Sequence, residues 1–170
     1  DAIGNRVMSS TTETGTPVQT AYTANSLNQY SLINDGAAKT PAYDFDGNMT
    51  NDSGSWTYTW DAENRLIAAE KTGQRLEFKY DYLSRRVEKR VMDGGSETSK
   101  VRFVYDKYLQ IEQLNALDSN AIEKRRIWSN NGQLISETQG TSIYYAVSDA
   151  NKNITEYLEA SGTIQGHFEF

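Results

Sequence analysis

Apolar and polar side chains alternate along several short stretches of this chain. In Arg75–Tyr80, Leu76, Phe78 and Tyr80 fall on every second position and charged residues fill the positions between them, and Val101–Tyr105 repeats the scheme. In Trp56–Trp60, three aromatic residues alternate with two threonines. A period of two places alternate side chains on opposite faces of an extended strand. The pattern therefore predicts strands with one aromatic face and one charged face.

A turn signal follows the clearest of these strands. Asp61 comes directly after Trp60, and the chain continues through Asn64 and Arg65 to the apolar Leu66. An aspartate accepts hydrogen bonds from backbone N–H groups just ahead of it, and asparagine tolerates a left-handed backbone. The stretch from Trp56 onward therefore predicts a strand, a tight turn and a second strand.

The same signal recurs along the chain. The aspartate position, or its substitute, falls at residues 1, 23, 44, 61, 81, 106, 129, 149 and 169, which is about every 20 residues. Two strands of about six residues and two short turns fill a repeat of this length. We expect residues 1–170 to form a single region of about eight such repeats, each a β-hairpin. The motif residues with a predicted structural role are Asp1, Gly4, Asn5, Tyr43, Asp44, Gly47, Asn48, Trp60, Asp61, Asn64, Arg65, Tyr80, Asp81, Arg86, Tyr105, Asp106, Trp128, Gly132 and Asp149.

A second set of turns divides each repeat. Thr72-Gly73 and Asp93–Ser96 lie between alternating stretches. Dipeptides that end in glycine also occur in the last third of the chain. Asp-Gly is a strong hairpin signal. The fold class is therefore all-β, built of tandem antiparallel hairpins in an open sheet. Because an open sheet leaves edge strands unpaired, we expect self-association through those edges.

Composition excludes several classes of function. The chain has 17 Lys and Arg against 23 Asp and Glu, a net charge of -6, which disfavours nucleic acid as a partner. It has no cysteine, so a disulfide frame, a thiolate metal site and a thiol nucleophile are absent. No apolar run reaches the roughly 20 residues of a membrane span.

Three stretches together resemble tandem RHS repeats, also called YD repeats: Tyr43–Met49, Tyr58–Leu66 and Tyr80–Arg86. Leu27–Tyr30 and the segment from Tyr144 to Phe170 resemble the region near the C-terminal end of an RHS core. The resemblance implies a curved strip of hairpins, which in bacterial polymorphic toxins winds into a shell around a C-terminal toxin. It also implies a secreted or cell-envelope protein. We expect the chain to be a fragment truncated at both ends, with a passenger domain or further repeats of the parent chain as its partner.

The recurring aspartates have a second interpretation as metal ligands or acid–base groups. The Asp44–Asn48 stretch superficially suggests a calcium loop, but its glycine is misplaced and Ser55 stands where an EF-hand needs glutamate. Turn formation explains the aspartates better. We expect Arg65 and Arg86 to bond the carboxylates of Asp61 and Asp81 or the turn carbonyls, and we predict no metal and no cofactor.

Three further features invite a functional interpretation. The rings of Trp56, Tyr58, Trp60, Phe78 and Tyr80 form rows on which a sugar could stack, and RHS repeats have been described as carbohydrate-binding; the alternative is that these rings line the shell. His167 is the single histidine and lacks triad partners around it, so catalysis is not expected. Lys124–Arg126 is interpreted as a solvated strand face.

The leading hypothesis is thus a non-catalytic wall segment of an RHS shell that encloses or presents a passenger. The alternative is a carbohydrate-binding or adhesion module that uses the aromatic face. An enzyme is the third hypothesis, and it would depend on His167.

Overall fold

A computed structural model of the chain describes residues 5–12 and 16–168. Every regular element in these residues is a β-strand, and adjacent strands are antiparallel, so the predicted all-β class with open antiparallel sheets is confirmed. The described part of the chain contains no helix that could span a membrane. The motif residues Asp1 and Gly4 lie outside the described residues.

The chain divides into two compact units, Asp1–Leu76 and Glu77–Phe170. In the first unit, β1 to β4 form one sheet in chain order, and β5 to β8 pair in chain order as well. The bounds are β1 (Met8–Thr11), β2 (Val18–Ala24), β3 (Tyr30–Asn34), β4 (Ala38–Lys39), β5 (Ala42–Tyr43), β6 (Met49–Asn51), β7 (Thr57–Trp60) and β8 (Leu66–Lys71). The prediction of a single repeat region stays a prediction.

Strand β9 (Gln74–Tyr80) leads into the second unit, where every strand pairs with the next one along the chain. The bounds are β10 (Arg86–Asp93), β11 (Ser96–Asp106), β12 (Leu109–Asn115), β13 (Ala121–Trp128), β14 (Leu134–Gln139), β15 (Ser142–Ser148), β16 (Ile154–Leu158) and β17 (Ile164–His167). Successive strands thus form hairpins, as the repeat pattern predicts.

Among the described residues, seven of the connecting turns share one backbone geometry. In each, the first residue donates its N–H to the carbonyl of the fifth, and the fourth donates its N–H back to the carbonyl of the first. The fourth residue has a positive φ, such as 59° at Asn64 and 89° at Gly47. The turns span residues 25–29, 44–48, 61–65, 81–85, 129–133, 149–153 and 159–163. Because glycine and asparagine adopt this backbone cheaply, they are frequent at the fourth position.

A β-bulge accompanies six of these turns. At the 61–65 turn, Trp60 pairs with Leu66, but Thr59 pairs with Ala68, so Ile67 is left without a partner in the ladder. A three-residue hairpin loop commonly carries such an extra residue. The bulge shifts the alternation of faces by one residue beyond the turn, which sequence periodicity alone does not reveal.

The two faces of the second unit change character along the sheet. The pairing of Glu88 with Arg102 puts ion-pairing residues on one face of β10 and β11, with Phe103 on the other, as the alternation predicts. In β13 to β15 the pairing of Ile127 with Ser136, and of Ser136 with Tyr145, puts exposed apolar side chains on one face instead. The later strands also alternate apolar and charged residues, but in the opposite phase, so Lys124 of β13 lies on the same face of the sheet as Phe103 of β11.

Candidate functional site

In six of the seven shared turns, the side chain of the first residue accepts the backbone N–H of the fifth. The Asp61 carboxylate oxygen Oδ1 accepts the backbone N–H groups of Glu63 at 2.9 Å and of Arg65 at 3.0 Å. Asp44, Asp81 and Asp149 accept the equivalent pair of N–H groups. Each of these carboxylates is thus occupied by the turn that it stabilises.

The fifth residue of the turn binds the second carboxylate oxygen. Arg65 donates its Nε–H to Asp61 Oδ2 at 2.8 Å, and Arg85 does the same to Asp81 at 2.8 Å. In the turns that begin at residues 44 and 149 an asparagine amide, from Asn48 and Asn153, replaces the guanidinium. The partner of the aspartate therefore lies four residues ahead of it.

Arg86 does not bind Asp81, so that prediction is wrong. The shared turn ends at Arg85, and Arg86 is already the first residue of β10. Its guanidinium lies over the ring of Phe78, at 5.5 Å from the ring centroid, and over that of Phe103, at 5.2 Å. Because Arg85 and Arg86 are adjacent, the sequence alone does not show which of them binds Asp81. The turn geometry shows that it is Arg85.

Two marker positions differ from the repeat pattern. Asp106 pairs with Leu109 across a two-residue turn, and no turn N–H bonds its carboxylate among the described residues. The turn near residue 23 begins at Asn25, whose amide oxygen accepts the N–H groups of Leu27 and Gln29.

Sequence reasoning also missed a turn in the first unit. Asp52 Oδ1 accepts the N–H groups of Gly54 at 2.8 Å and of Trp56 at 3.0 Å. The Asp-Ser-Gly-Ser sequence directly before Trp56 is the signal that could have revealed it.

Four aromatic residues, each directly before a turn, tie one hairpin to an earlier one. Trp60 donates its indole N–H to the carbonyl of Met49 at 2.8 Å, and Trp128 donates to Gln110 at 2.9 Å. The Tyr105 hydroxyl donates to the carbonyl of Arg86 at 3.0 Å, and Tyr43 donates to Tyr30 at 3.2 Å. Met49, Gln110 and Tyr30 each lie at a register shift. A bulge disrupts the ladder, and a Trp or Tyr head group supplies a hydrogen bond there that phenylalanine cannot supply.

Neighbouring turns within each unit also bind one another. In the first unit Asn48 donates its amide N–H to the side-chain oxygen of Asn64 at 2.8 Å. In the second unit Lys152 donates to the carbonyl of Asn131 at 2.8 Å, and Arg85 donates to the carbonyl of Lys107. The motif residues thus form a framework of linked turns.

The five rings considered as a sugar platform are half-buried and belong to two units. Trp56, Tyr58 and Trp60 lie in the first unit, and Phe78 and Tyr80 lie in the second. The Lys71 ammonium covers the Trp56 ring at 4.8 Å from its centroid, and Arg86 lies over Phe78. These cations occupy ring faces that a sugar would need, and the glycan hypothesis stays a prediction.

The basic run Lys124–Arg126 is not a uniformly solvated face, which corrects the prediction. Lys124 and Arg126 both bind the carboxylate of Glu137, which is 8% exposed, whereas Arg125 points to the opposite face and binds Glu112. Strand alternation separates the three cations, and β14 brings a carboxylate to two of them.

The remaining candidate chemistry is sparse in the described residues. His167 is exposed, and its Nδ1 atom lies 3.4 Å from Glu156. The described residues contain no group of three or more His, Cys, Asp or Glu side chains that could hold a metal ion. The geometry around the motif residues therefore supports a role in turn stability.

The turn aspartates predict a loss of stability in acid. The Arg85 side chain and turn N–H groups lower the pKa of Asp81, and the Asn153 amide lowers that of Asp149. A lowered folded-state pKa means that the stabilisation is complete above the unfolded value and disappears as pH falls through the folded value. We expect the urea midpoint to be flat from about pH 7 to pH 5 and to fall steeply below about pH 4. A double Asp81→Asn, Asp149→Asn variant should show a shallower acid limb, and an unchanged limb would contradict this assignment.

Comparisons with known proteins identify similar sequences and folds. The chain is 30% identical over 177 residues to the tRNA3(Ser)-specific nuclease WapA of Bacillus spizizenii; the match covers 100% of this chain and 7% of that protein. It is 43% identical over 70 residues to the tRNA(Glu)-specific nuclease WapA of Bacillus subtilis subsp. natto; that match covers 39% of this chain and 3% of the relative. No family model matches the sequence.

Solved toxin structures share the fold. The Photorhabdus luminescens Tc holotoxin pore with a TccC3 mutation matches with a TM-score of 0.55 and 16% identity, over 86% of this chain and 9% of that one. The TcdB2–TccC3 crystal structure matches with a TM-score of 0.55 and 15% identity, over 91% of this chain and 10% of that one. These matches support an RHS-type region. Since the chain spans about 7% of the length of the WapA relative that it matches end to end, the activity of that protein does not transfer with the similarity.

Proposed function

We propose that this chain is a non-catalytic wall segment of an RHS-repeat shell that encloses or presents a toxin or other passenger domain of a longer protein. The observation that carries the proposal is the framework of linked turns. The carboxylates of Asp44, Asp61, Asp81 and Asp149 are engaged in the turns, and Trp60, Trp128 and Tyr105 bind hairpin to hairpin. In this proposal, the carboxylates of the repeated turns stabilise the wall and take no part in a reaction.

The similarity to proteins named nucleases supports a toxin context for this wall. In this proposal the nuclease activity of such a relative belongs to a part of the protein outside the matched 7%. The partner of the chain is then the passenger or the remaining repeats of its parent, and the parent is secreted or held at the cell envelope. No specific observation favours a glycan-binding module as a second function.

Two measurements test the proposal. The purified chain, incubated with total tRNA, should leave the tRNA intact, and cleavage above a buffer control would contradict the non-catalytic assignment. In the full-length protein, the passenger should resist a protease until the wall is opened by mild urea. A passenger digested at the same rate with the wall folded and unfolded would overturn the enclosing role.

A further inference from the structure

A cavity of about 320 Å³ lies in the second unit, on the face of β13 to β17 that carries Glu137. Its lining includes Lys124, Glu137, Gln139, Tyr144, Tyr157 and Phe168. Ligand pockets in proteins begin at about 300 Å³, so this cavity suits a ligand of roughly one amino-acid residue. It lies apart from the turn framework described above, which does not require it.

The floor of the cavity carries an ion pair between Lys124 and Glu137. The Glu137 side chain is 10% exposed, and its two oxygens are each bound by a cation, Lys124 at 2.9 Å and Arg126 at 2.7 Å. Arg126 binds Glu137 from outside the lining of the cavity, so Lys124 is the cation that a ligand in the cavity meets. An ammonium has three N–H donors, and the bond to Glu137 uses one of them. Lys124 therefore has donors left for a second acceptor.

The walls combine aromatic surface with hydroxyl groups. Tyr157 and Phe168 meet edge to face, with ring centroids 6.3 Å apart. The hydroxyls of Tyr144 and Tyr157 bond no other group among the described residues of the structure. Burial raises the pKa of Tyr157, which keeps its hydroxyl a donor at neutral pH. Donors on the floor and walls, beside apolar rings, match a ligand with an anionic acceptor and an apolar body.

We propose that this cavity binds a carboxylate carried on an aromatic or aliphatic body. The carboxylate accepts from the Lys124 ammonium and the tyrosine hydroxyls, and the body packs on Tyr157 and Phe168. A cationic ligand is disfavoured, because Lys124 and Arg126 already bind both oxygens of Glu137. The binding does not depend on the shell role proposed above.

The test uses three small probes and the amide NMR spectrum of the purified chain. N-acetyl-phenylalanine carries both the ring and the carboxylate, its primary amide carries the ring alone, and acetate carries the charge alone. We expect saturable shifts at Gly166 and its neighbours with the acid, and at least about tenfold weaker binding of the other two, because hydrogen bonds to a charged group are the strong ones. Equal binding of the acid and its amide would overturn the proposal.

Variants tie the binding to the cavity. Lys124→Gln should weaken binding of N-acetyl-phenylalanine by about tenfold, and Tyr144→Phe by a smaller factor. Arg125→Gln is the matched control, since Arg125 is the next residue on the opposite face and should leave binding unchanged. If Lys124→Gln binds as tightly as the wild type while its spectrum shows a folded protein, the proposal is wrong.

Probes of different length distinguish a peptide C-terminus from a free small acid as the natural source of the carboxylate. A pentapeptide that ends in phenylalanine with a free carboxylate is compared with N-acetyl-phenylalanine. Tighter binding of the peptide supports a peptide C-terminus as the ligand, and equal affinity supports a free small acid. No saturable shift with either probe would overturn the site.

Discussion

Replacement of Trp128 by alanine should lower the free energy of unfolding by about 3 kcal/mol, the low end for truncating a large aromatic residue, because the ring is half-buried. The change removes ring contacts between β13 and its neighbours and also the 2.9 Å hydrogen bond to the Gln110 carbonyl. That carbonyl lies at a register shift, where the strand ladder is interrupted. Urea unfolding followed by far-UV circular dichroism should show the midpoint about 1–2 M lower.

Two companion variants separate the causes of this loss. Trp128→Phe keeps most of the ring and removes the N–H donor, so it should cost about 1 kcal/mol. Tyr82→Ala is the control, because Tyr82 is 89% exposed on a turn in the same unit and should change the midpoint little. A Trp128→Ala midpoint that matches the Tyr82→Ala midpoint would show that the aromatic ties between hairpins do not stabilise the unit.

Much of the fold could be predicted from the sequence, because the signals for a hairpin lie in a few adjacent residues. Alternation fixed the strands around Phe78 and Phe103, and an aspartate followed three residues later by glycine or asparagine located the turns at 44–48 and 61–65. Both signals depend on the backbone of a few adjacent residues. Local chemistry is therefore sufficient to predict the element type and its approximate position.

The details that the sequence did not reveal depend on residues far apart in the chain. The bulge at the 129–133 turn shifts β14 by one residue against β13, so Lys124 and Arg126 were not expected to meet Glu137 across these strands. The carbonyl acceptors of Trp60 and Trp128 lie 11 and 18 residues away along the chain. The cavity on that face could not be predicted either, because its lining depends on the strand register, and periodicity does not give the register.

The two Tyr-Asp dipeptides of the second unit show most directly that a short sequence motif does not determine the turn that follows it. Tyr80-Asp81 and Tyr105-Asp106 are identical in sequence, yet Asp81 begins a shared turn and Asp106 ends a strand before a two-residue turn. What differs is the chain beyond the aspartate. Ser84 adopts a φ of 59° as the fourth residue of its turn, whereas Lys107, directly after Asp106, has the positive φ of 53°.

This difference makes the pair a sensitive test of the turn framework. Asp81→Ala removes the acceptor of the Leu83 and Arg85 N–H groups, at 2.9 and 3.1 Å, and also the ion pair with Arg85. Asp106→Ala removes an exposed carboxylate that bonds no turn N–H. We expect the melting temperature to fall by about 5–10 °C in the first variant and by less than about 2 °C in the second.

Differential scanning calorimetry of both variants at pH 7 makes the comparison, with Asp81→Asn as an intermediate. An asparagine keeps an acceptor oxygen for the turn N–H groups but loses the charge that Arg85 binds, so its melting temperature should lie between those of the wild type and Asp81→Ala. Equal losses in Asp81→Ala and Asp106→Ala would mean that the Tyr-Asp motif acts through something other than its turn. A loss confined to Asp81 would mean that the five-residue turn, and not the dipeptide, is the unit that repeats along this chain.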